Sequence, residues 1–324
     1  MPHILLIPRL APAVRAIAED LLPAGFTLAV ADPAAPPSTL AAALAPAEYL
    51  LGFVGPLPDE VWAAATRLRL VQLLSAGYDR FPIERARARG LPVAINGGAN
   101  AVAVAEHAVM LMLAVYRRVS QLDRAVRQGE WRAGAGGDTR YHELGSKRVG
   151  LFGMGQIGRA VARRLAGFDV DLCYTDVIRL PSAEEAALGA TFLSLDELLT
   201  SADVLSLHLP LLPETRGIIG ERALARLRPG AVLINTARGE LVDEAALATA
   251  LRSGHLLGAG LDVLAQEPPP ADHPLLALDN VVLTPHTAGP TWESWPRRFG
   301  NAYANIGRVS RGEPARWVIP ELRG

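Results

Sequence analysis

Cysteine is almost missing from this chain: Cys173 is the only one in 324 residues. An intrachain disulfide is therefore excluded, and a lone thiol cannot build a zinc site. Net charge is missing too, with 32 Lys and Arg against 33 Asp and Glu. Such a balance leaves no electrostatic footprint for nucleic acid or an anionic membrane. The most hydrophobic stretch, 101–116, holds Glu106 and His107 and ends at Arg117–Arg118. It falls short of the ~20 apolar residues that a spanning helix needs. It reads instead as a long helix buried between domains and continuing through Arg127. The N-terminal MPHILLIPRLAP carries Pro2, Pro8 and Pro12 and lacks the apolar core of a signal peptide. The expectation is a soluble, cytoplasmic protein with no metal, nucleic-acid or membrane partner.

What is present is an ordinary globular composition, 50% apolar and 20% charged, at a length that suggests two domains. Short apolar runs alternate with helix-like segments twice over. Strands are predicted at 4–7, 28–31, 49–53, 70–73 and 93–95, with helical segments such as 60–66 and 83–89 between them. A second series begins at Lys147, with strands at 148–152, 171–175, 204–207, 231–235, 259–262 and 281–284. Its helices include 156–166, 195–201, 220–226 and 244–253. Strands alternating with helices imply parallel sheets, and the unbroken apolar runs fit strands covered on both faces. Residues 129–141 are glycine-rich and polar, 266–274 (QEPPPADHP) must be loop, and 292–309 is a helix with no strand partner nearby.

The second series opens on VGLFGMGQIG, which places Gly153, Gly155 and Gly158 between an apolar strand and an amphipathic helix. A pyrophosphate needs a tight turn, a close backbone approach and close strand–helix packing, and the helix N-terminus then offers free N–H groups. The next strand delivers Asp176. An acid there accepts hydrogen bonds from the adenosine ribose and repels the extra phosphate of NADP, although Arg179 lies three residues on. The domain is predicted to bind a dinucleotide, with NAD preferred over NADP.

Three segments farther on place chemistry at strand ends. Arg238 follows strand 231–235, Glu267 follows 259–262 and His286 follows 281–284. Open parallel sheets bind their ligands at such ends. Hydride transfer at a carbon bearing oxygen needs a group that exchanges a proton near neutral pH, which histidine supplies. A carboxylate against the imidazole orients it, and an arginine anchors a substrate carboxylate.

These residues, with LLSAGYD (73–79), NAVAVAEH (100–107), NTARGELVDE (235–244), DVLAQEP (262–268) and TPHTAG (284–289), make the chain resemble the D-isomer-specific 2-hydroxyacid dehydrogenases. The resemblance spans nearly the whole chain. It implies two doubly wound parallel-sheet domains, α/β throughout. A Rossmann-like cofactor domain, 101–289, would be inserted into a flavodoxin-like substrate domain made of 1–100 and 290–324. It also implies an interdomain helix at 101–127 and a homodimer formed through the cofactor domain.

Position by position, the resemblance makes Arg238 the ligand of the substrate carboxylate and carbonyl, His286 the acid/base and Glu267 its partner. Ala76 and Gly77 would offer backbone N–H groups to the carboxylate, and Asn100 would sit at the cleft between the domains. Gln156 and Ile157 would cover the pyrophosphate, His208 and Pro210 would line the cofactor wall, and Thr236 and Asp262 would face the nicotinamide. Ala237, Arg238, His286 and Gly289 complete the expected cofactor contacts. Formate dehydrogenases pair their histidine with glutamine, and phosphite dehydrogenase has lysine in place of Ala76, so neither substrate is expected here. A small 2-oxo acid, hydroxypyruvate or glyoxylate, is the first expectation. Phosphoglycerate dehydrogenase activity and a non-enzymatic, NAD-sensing corepressor role are the alternatives. Trp292 is read either as core or dimer packing or as a wall of the substrate pocket.

Overall fold

The computed structural model describes residues 1–8, 10–131 and 140–323. Most of the glycine-rich stretch 129–141 lies outside them. The chain divides into two compact units, Met1–Asn100 with Pro290–Gly324, and Ala101–Gly289.

The first unit is a five-stranded parallel sheet. Its strands are β1 (His3–Ile7), β2 (Thr27–Val30), β3 (Tyr49–Gly52), β4 (Leu70–Leu73) and β5 (Val93–Ala94), in the order β2-β1-β3-β4-β5. The alternation of β1 explains why both faces are covered. Leu5 and Ile7 face one apolar layer with Leu40, Leu44 and Trp62, while Ile4 and Leu6 face another with Phe299, Tyr303 and Ile306. Those last three lie on helix Ser294–Ser310, so the final helix returns to cover the first sheet. The segment after it closes the edge, where Ile95 N–H donates to Trp317 O and Ile319 N–H to Val93 O.

The second unit holds seven parallel strands: β6 (Arg148–Phe152), β7 (Asp171–Thr175), β8 (Ala190–Phe192), β9 (Val204–Leu207), β10 (Ala231–Asn235), β11 (Leu256–Leu261) and β12 (Val281–Leu283). Their order is β12-β11-β10-β9-β6-β7-β8, so the direction of winding reverses between β6 and β9. That reversal opens the crevice where dinucleotides bind in doubly wound sheets. Helices Ala101–Tyr116 and Gln156–Leu165 cover one face of this sheet, and Leu195–Ser201, Glu221–Arg226 and Glu244–Arg252 cover the other.

Two expectations need correction. The helix that begins at Ala101 does not run on through Arg127. It stops at Tyr116, Arg118 adopts a left-handed φ of 51°, and a separate helix occupies Val119–Arg127. The apolar run ends at the two arginines, so the burial that stabilises Ala101–Tyr116 ends too, and the second helix has no buried residue. Strand β11 begins at Leu256, three residues before the predicted start at 259. Its glycines are the reason it looked broken: a Cβ on Gly258 would lie 2.7 Å from Val115 Cγ1, and one on Gly260 2.9 Å from Leu111 Cβ. The glycines let helix Ala101–Tyr116 lie directly on the strand.

Candidate active site

The glycine turn follows β6. Gly153 has φ 101°, and a Cβ there would lie 2.6 Å from His208 O, at the end of β9. Gly155 caps helix Gln156–Leu165 and faces open space, so a ligand can approach its backbone. A Cβ on Gly158 would overlap the Gly153 carbonyl oxygen, because helix and turn touch backbone to backbone. Gly155 and Gln156 are exposed, and Ile157 is half-buried. The exposed N-terminal turn of the helix, the unfilled space at Gly155 and the nearby acid together fit a dinucleotide. Gly158→Ala should therefore raise the Kd for NADH by more than tenfold, measured by fluorescence titration.

Asp176 follows β7, and its Oδ2 accepts from Met154 N–H at 2.6 Å, which fixes the carboxylate beside the turn. Arg179 is committed elsewhere. Its Nε and Nη2 donate to the two oxygens of Glu185 at 2.9 and 3.0 Å, and its guanidinium lies over the Phe192 ring. His208 bonds Ser206 Oγ at 3.0 Å, and burial pushes its pKa down to about 4, so the ring is neutral. Two buried polar atoms here have no partner within the protein: His208 Nδ1 and Thr236 Oγ1. Pro210 is exposed.

The neighbouring strands β10, β11 and β12 deliver Arg238, Glu267 and His286, the candidate catalytic residues. After β10, Asn235 folds the chain back on itself: Ala237 N–H donates to its Oδ1 at 3.0 Å, and its Nδ2 donates to Arg238 O at 2.8 Å. This side-chain turn aims Arg238, whose Nη1 donates to Ala237 O at 2.6 Å. Gly239 brings that loop against the backbone of Leu264 and Ala265, which leaves no room for a Cβ. Glu267, three residues on, accepts from Leu264 N–H through Oε1 and bonds His286 Nδ1 through Oε2 at 2.8 Å.

His286 sits after β12 at φ 54°, a conformation few non-glycine residues adopt. Asp262 holds it there. The Asp262 carbonyl accepts His286 N–H at 2.7 Å, and the carboxylate accepts Thr287 N–H and Ala288 N–H, each at 2.9 Å. Thr284 Oγ1 donates to the same carboxylate at 2.6 Å and bonds His107 Nε2 at 2.8 Å. Asp262 is 1% exposed, and its buried carboxylate is met by three donors. This carboxylate therefore organises the loop that carries His286. Sequence reading missed the roles of Asn235, His107 and Thr284. It also missed Glu244, which accepts Ala265 N–H and bonds His273, pinning the loop that carries Glu267.

The remaining predicted residues belong to the first unit. Ala76 and Gly77 follow β4 in a turn fixed by Ser75 Oγ donating to Gly77 O at 2.6 Å. Asn100 is 8% exposed, its Oδ1 accepting from Asn96 Nδ2. Trp292 is 61% exposed, which excludes core packing, whereas Trp295 is buried against Phe299. Gly289 ends the second unit. Among the described residues no group of His, Cys, Asp or Glu gathers as metal ligands, and no helix is long and apolar enough to cross a membrane.

The family model for the D-isomer specific 2-hydroxyacid dehydrogenase, NAD binding domain, matches residues 109–288. The chain belongs to that family. It is 40% identical over 265 residues to a glyoxylate reductase of Korarchaeum cryptofilum, covering 80% of this chain and 78% of that one. A D-3-phosphoglycerate dehydrogenase of Mycobacterium leprae is 41% identical over 254 residues, 78% of this chain but only 47% of the relative. A glyoxylate reductase structure from Paecilomyes thermophila superposes with a TM-score of 0.85 at 31% identity, covering 99% of both chains. Family membership makes this an NAD-dependent oxidoreductase acting on the CH–OH group of its donors.

Proposed function

We propose that the protein interconverts a small 2-oxo acid and its D-2-hydroxy acid, with glyoxylate or hydroxypyruvate as substrate. One observation carries this reading: the 2.8 Å pair of His286 and Glu267 follows β12 and β11, the two strands that lie consecutively beside the Arg238 strand β10, in the sheet that bears the dinucleotide turn. Gly153, Gly155, Gln156, Ile157, Gly158, Asp176, His208, Pro210, Thr236, Ala237 and Gly289 would hold the cofactor. When bound, its nicotinamide supplies or accepts the hydride.

The protein supplies the rest. Arg238 presents a planar fork that matches a carboxylate bidentately and keeps the adjacent carbonyl polarised. Because His286 Nδ1 is taken by Glu267, Nε2 is the nitrogen that exchanges the proton. In reduction, the substrate carbonyl oxygen takes the Nε2 proton as its carbon gains the hydride; in oxidation, neutral Nε2 takes the hydroxyl proton. Ala76, Gly77 and Asn100 are assigned to the substrate on the resemblance, and Trp292 to the side that limits its size.

Asp176 favours NAD over NADP, and the engagement of Arg179 by Glu185 supports this, since that cation is already paired. We place the protein in the cytoplasm, as a homodimer formed through the second unit. Val102, Met110, Val119, Val126 and Trp131 expose apolar surface there. NADH oxidation against glyoxylate, hydroxypyruvate, pyruvate, 3-phosphohydroxypyruvate and bulkier 2-oxo acids, with NADPH alongside, tests the reading. Glyoxylate or hydroxypyruvate should show the highest kcat/KM, and NADH should exceed NADPH by at least about tenfold. Preference for 3-phosphohydroxypyruvate would turn the assignment to the phosphoglycerate branch. No turnover at all, with NADH still binding, would favour an NAD-sensing role.

A further inference from the structure

The first unit buries an arginine that has no acid. Arg298, on helix Ser294–Ser310, is 3% exposed, and among the described residues no carboxylate pairs with it. Its Nη1 donates to Leu74 O at 2.6 Å, and its guanidinium lies 5.8 Å from the Phe53 ring centre and 5.2 Å from that of Trp295. Its Nε is sealed from solvent with no partner. The adjacent Arg297 adds like charge, and burial lowers the Arg298 pKa to about 10, which leaves it charged at neutral pH. An uncompensated cation in a protein interior is disfavoured, and two ring faces and one carbonyl offset this only in part. Packing alone would be served as well by an apolar side chain of the same length.

The location suggests what the charge is for. Phe53 directly follows β3, and Leu74 directly follows β4. Both stand at the carboxyl edge of a sheet wound β2-β1-β3-β4-β5, the edge at which open parallel sheets bind ligands. Leu74 also begins the segment that turns at Ser75–Gly77, and its carbonyl receives a second donor, Asn96 Nδ2, at 3.4 Å. A carbonyl gripped by a cation polarises its own peptide group and orients those that follow.

We propose that Arg298 is an electrostatic positioning residue for the substrate carboxylate. Fixed to the root of the Ser75–Ala76–Gly77 turn through the Leu74 carbonyl, it gives that turn the positive potential that draws an anion, without touching the anion itself. The inference deepens the proposed function and rests on its assignment of Ala76 and Gly77 to the substrate.

The test compares Arg298→Gln, which keeps a polar side chain but loses the charge, with Arg298→Lys and Arg298→Met. The readouts are KM for the preferred 2-oxo acid, Kd for oxalate by calorimetry, kcat, Kd for NADH and Tm. The Gln and Met variants should raise KM and the oxalate Kd by about tenfold or more, leaving kcat and NADH affinity within twofold; Lys should stay within about threefold of the parent. Unchanged KM and oxalate binding in Arg298→Gln overturns the inference, as does an equal rise in Gln and Lys, which would assign the effect to shape. Should Arg298→Met fail to fold, the Gln and Lys pair still decides. Oxalate binding separates the two levels of argument. A parent protein that turns over no 2-oxo acid sinks the proposed function, whereas oxalate binding that is lost with the Arg298 charge would still uphold the anion-drawing role.

Discussion

Replacing His286 by asparagine should lower kcat by roughly 10²–10⁴-fold, the range that a positioned acid–base group contributes. The choice of asparagine follows from the backbone. His286 holds φ at 54°, and asparagine is among the few residues that adopt this region readily. The loop therefore keeps its bonds to Asp262, and only the proton-exchanging ring is lost. The affinity for NADH should stay within about twofold, since the glycine turn and Asp176 lie on β6 and β7, away from β12 in the sheet order. Stopped-flow turnover and a fluorescence titration give the two numbers. A kcat within tenfold of the parent would place the general acid on another residue.

The sequence-level reading located this residue because its surroundings are local. A histidine three residues beyond a short apolar run is visible in the chain itself, as are Arg238 and Glu267 after their own runs. Strands β6, β7, β9 and β10 begin and end where predicted, because continuous apolar runs meet polar turn residues at both ends. Strand β8 escaped notice because it is three residues long at the sheet edge, with Thr191 exposed between its neighbours. The break at Arg118 was equally hidden, for Val119–Arg127 continues a helical pattern and only the tertiary packing stops.

What could not be read was the set of contacts that hold the candidate catalytic groups in place. His107 and Thr284 are 177 residues apart in sequence yet bond at 2.8 Å, and neither carries a chemical signature of its own. Gly239 looked like one of many glycines in the sequence until the backbone of Leu264 and Ala265 filled the space beside it. Asn235 ends a strand, where an asparagine is unremarked, and becomes informative only when its side chain is seen bonded to both Ala237 and Arg238. Candidate catalytic residue types are thus legible from pattern. The positioning around them depends on nonlocal geometry.

Arg238→Met should cost about 3–5 kcal/mol of transition-state stabilisation, a fall in kcat/KM of roughly 10²–10⁴, because it removes a charge-assisted, bidentate partner of the substrate carboxylate. Methionine fills much the same volume, and the Asn235 bonds to the loop run through the backbone atoms Ala237 N and Arg238 O, which the substitution retains. The turn should survive, and the change in Tm should be small. Arg238→Lys separates charge from shape. A lysine restores the positive point charge but not the planar fork, so it should recover at most about tenfold of the loss. The defect should fall on both KM and kcat, because the proposed role of the arginine is both to hold the carboxylate and to polarise the carbonyl whose carbon takes the hydride. A variant in which KM alone rose would limit Arg238 to binding, and one in which neither moved would remove it from the site.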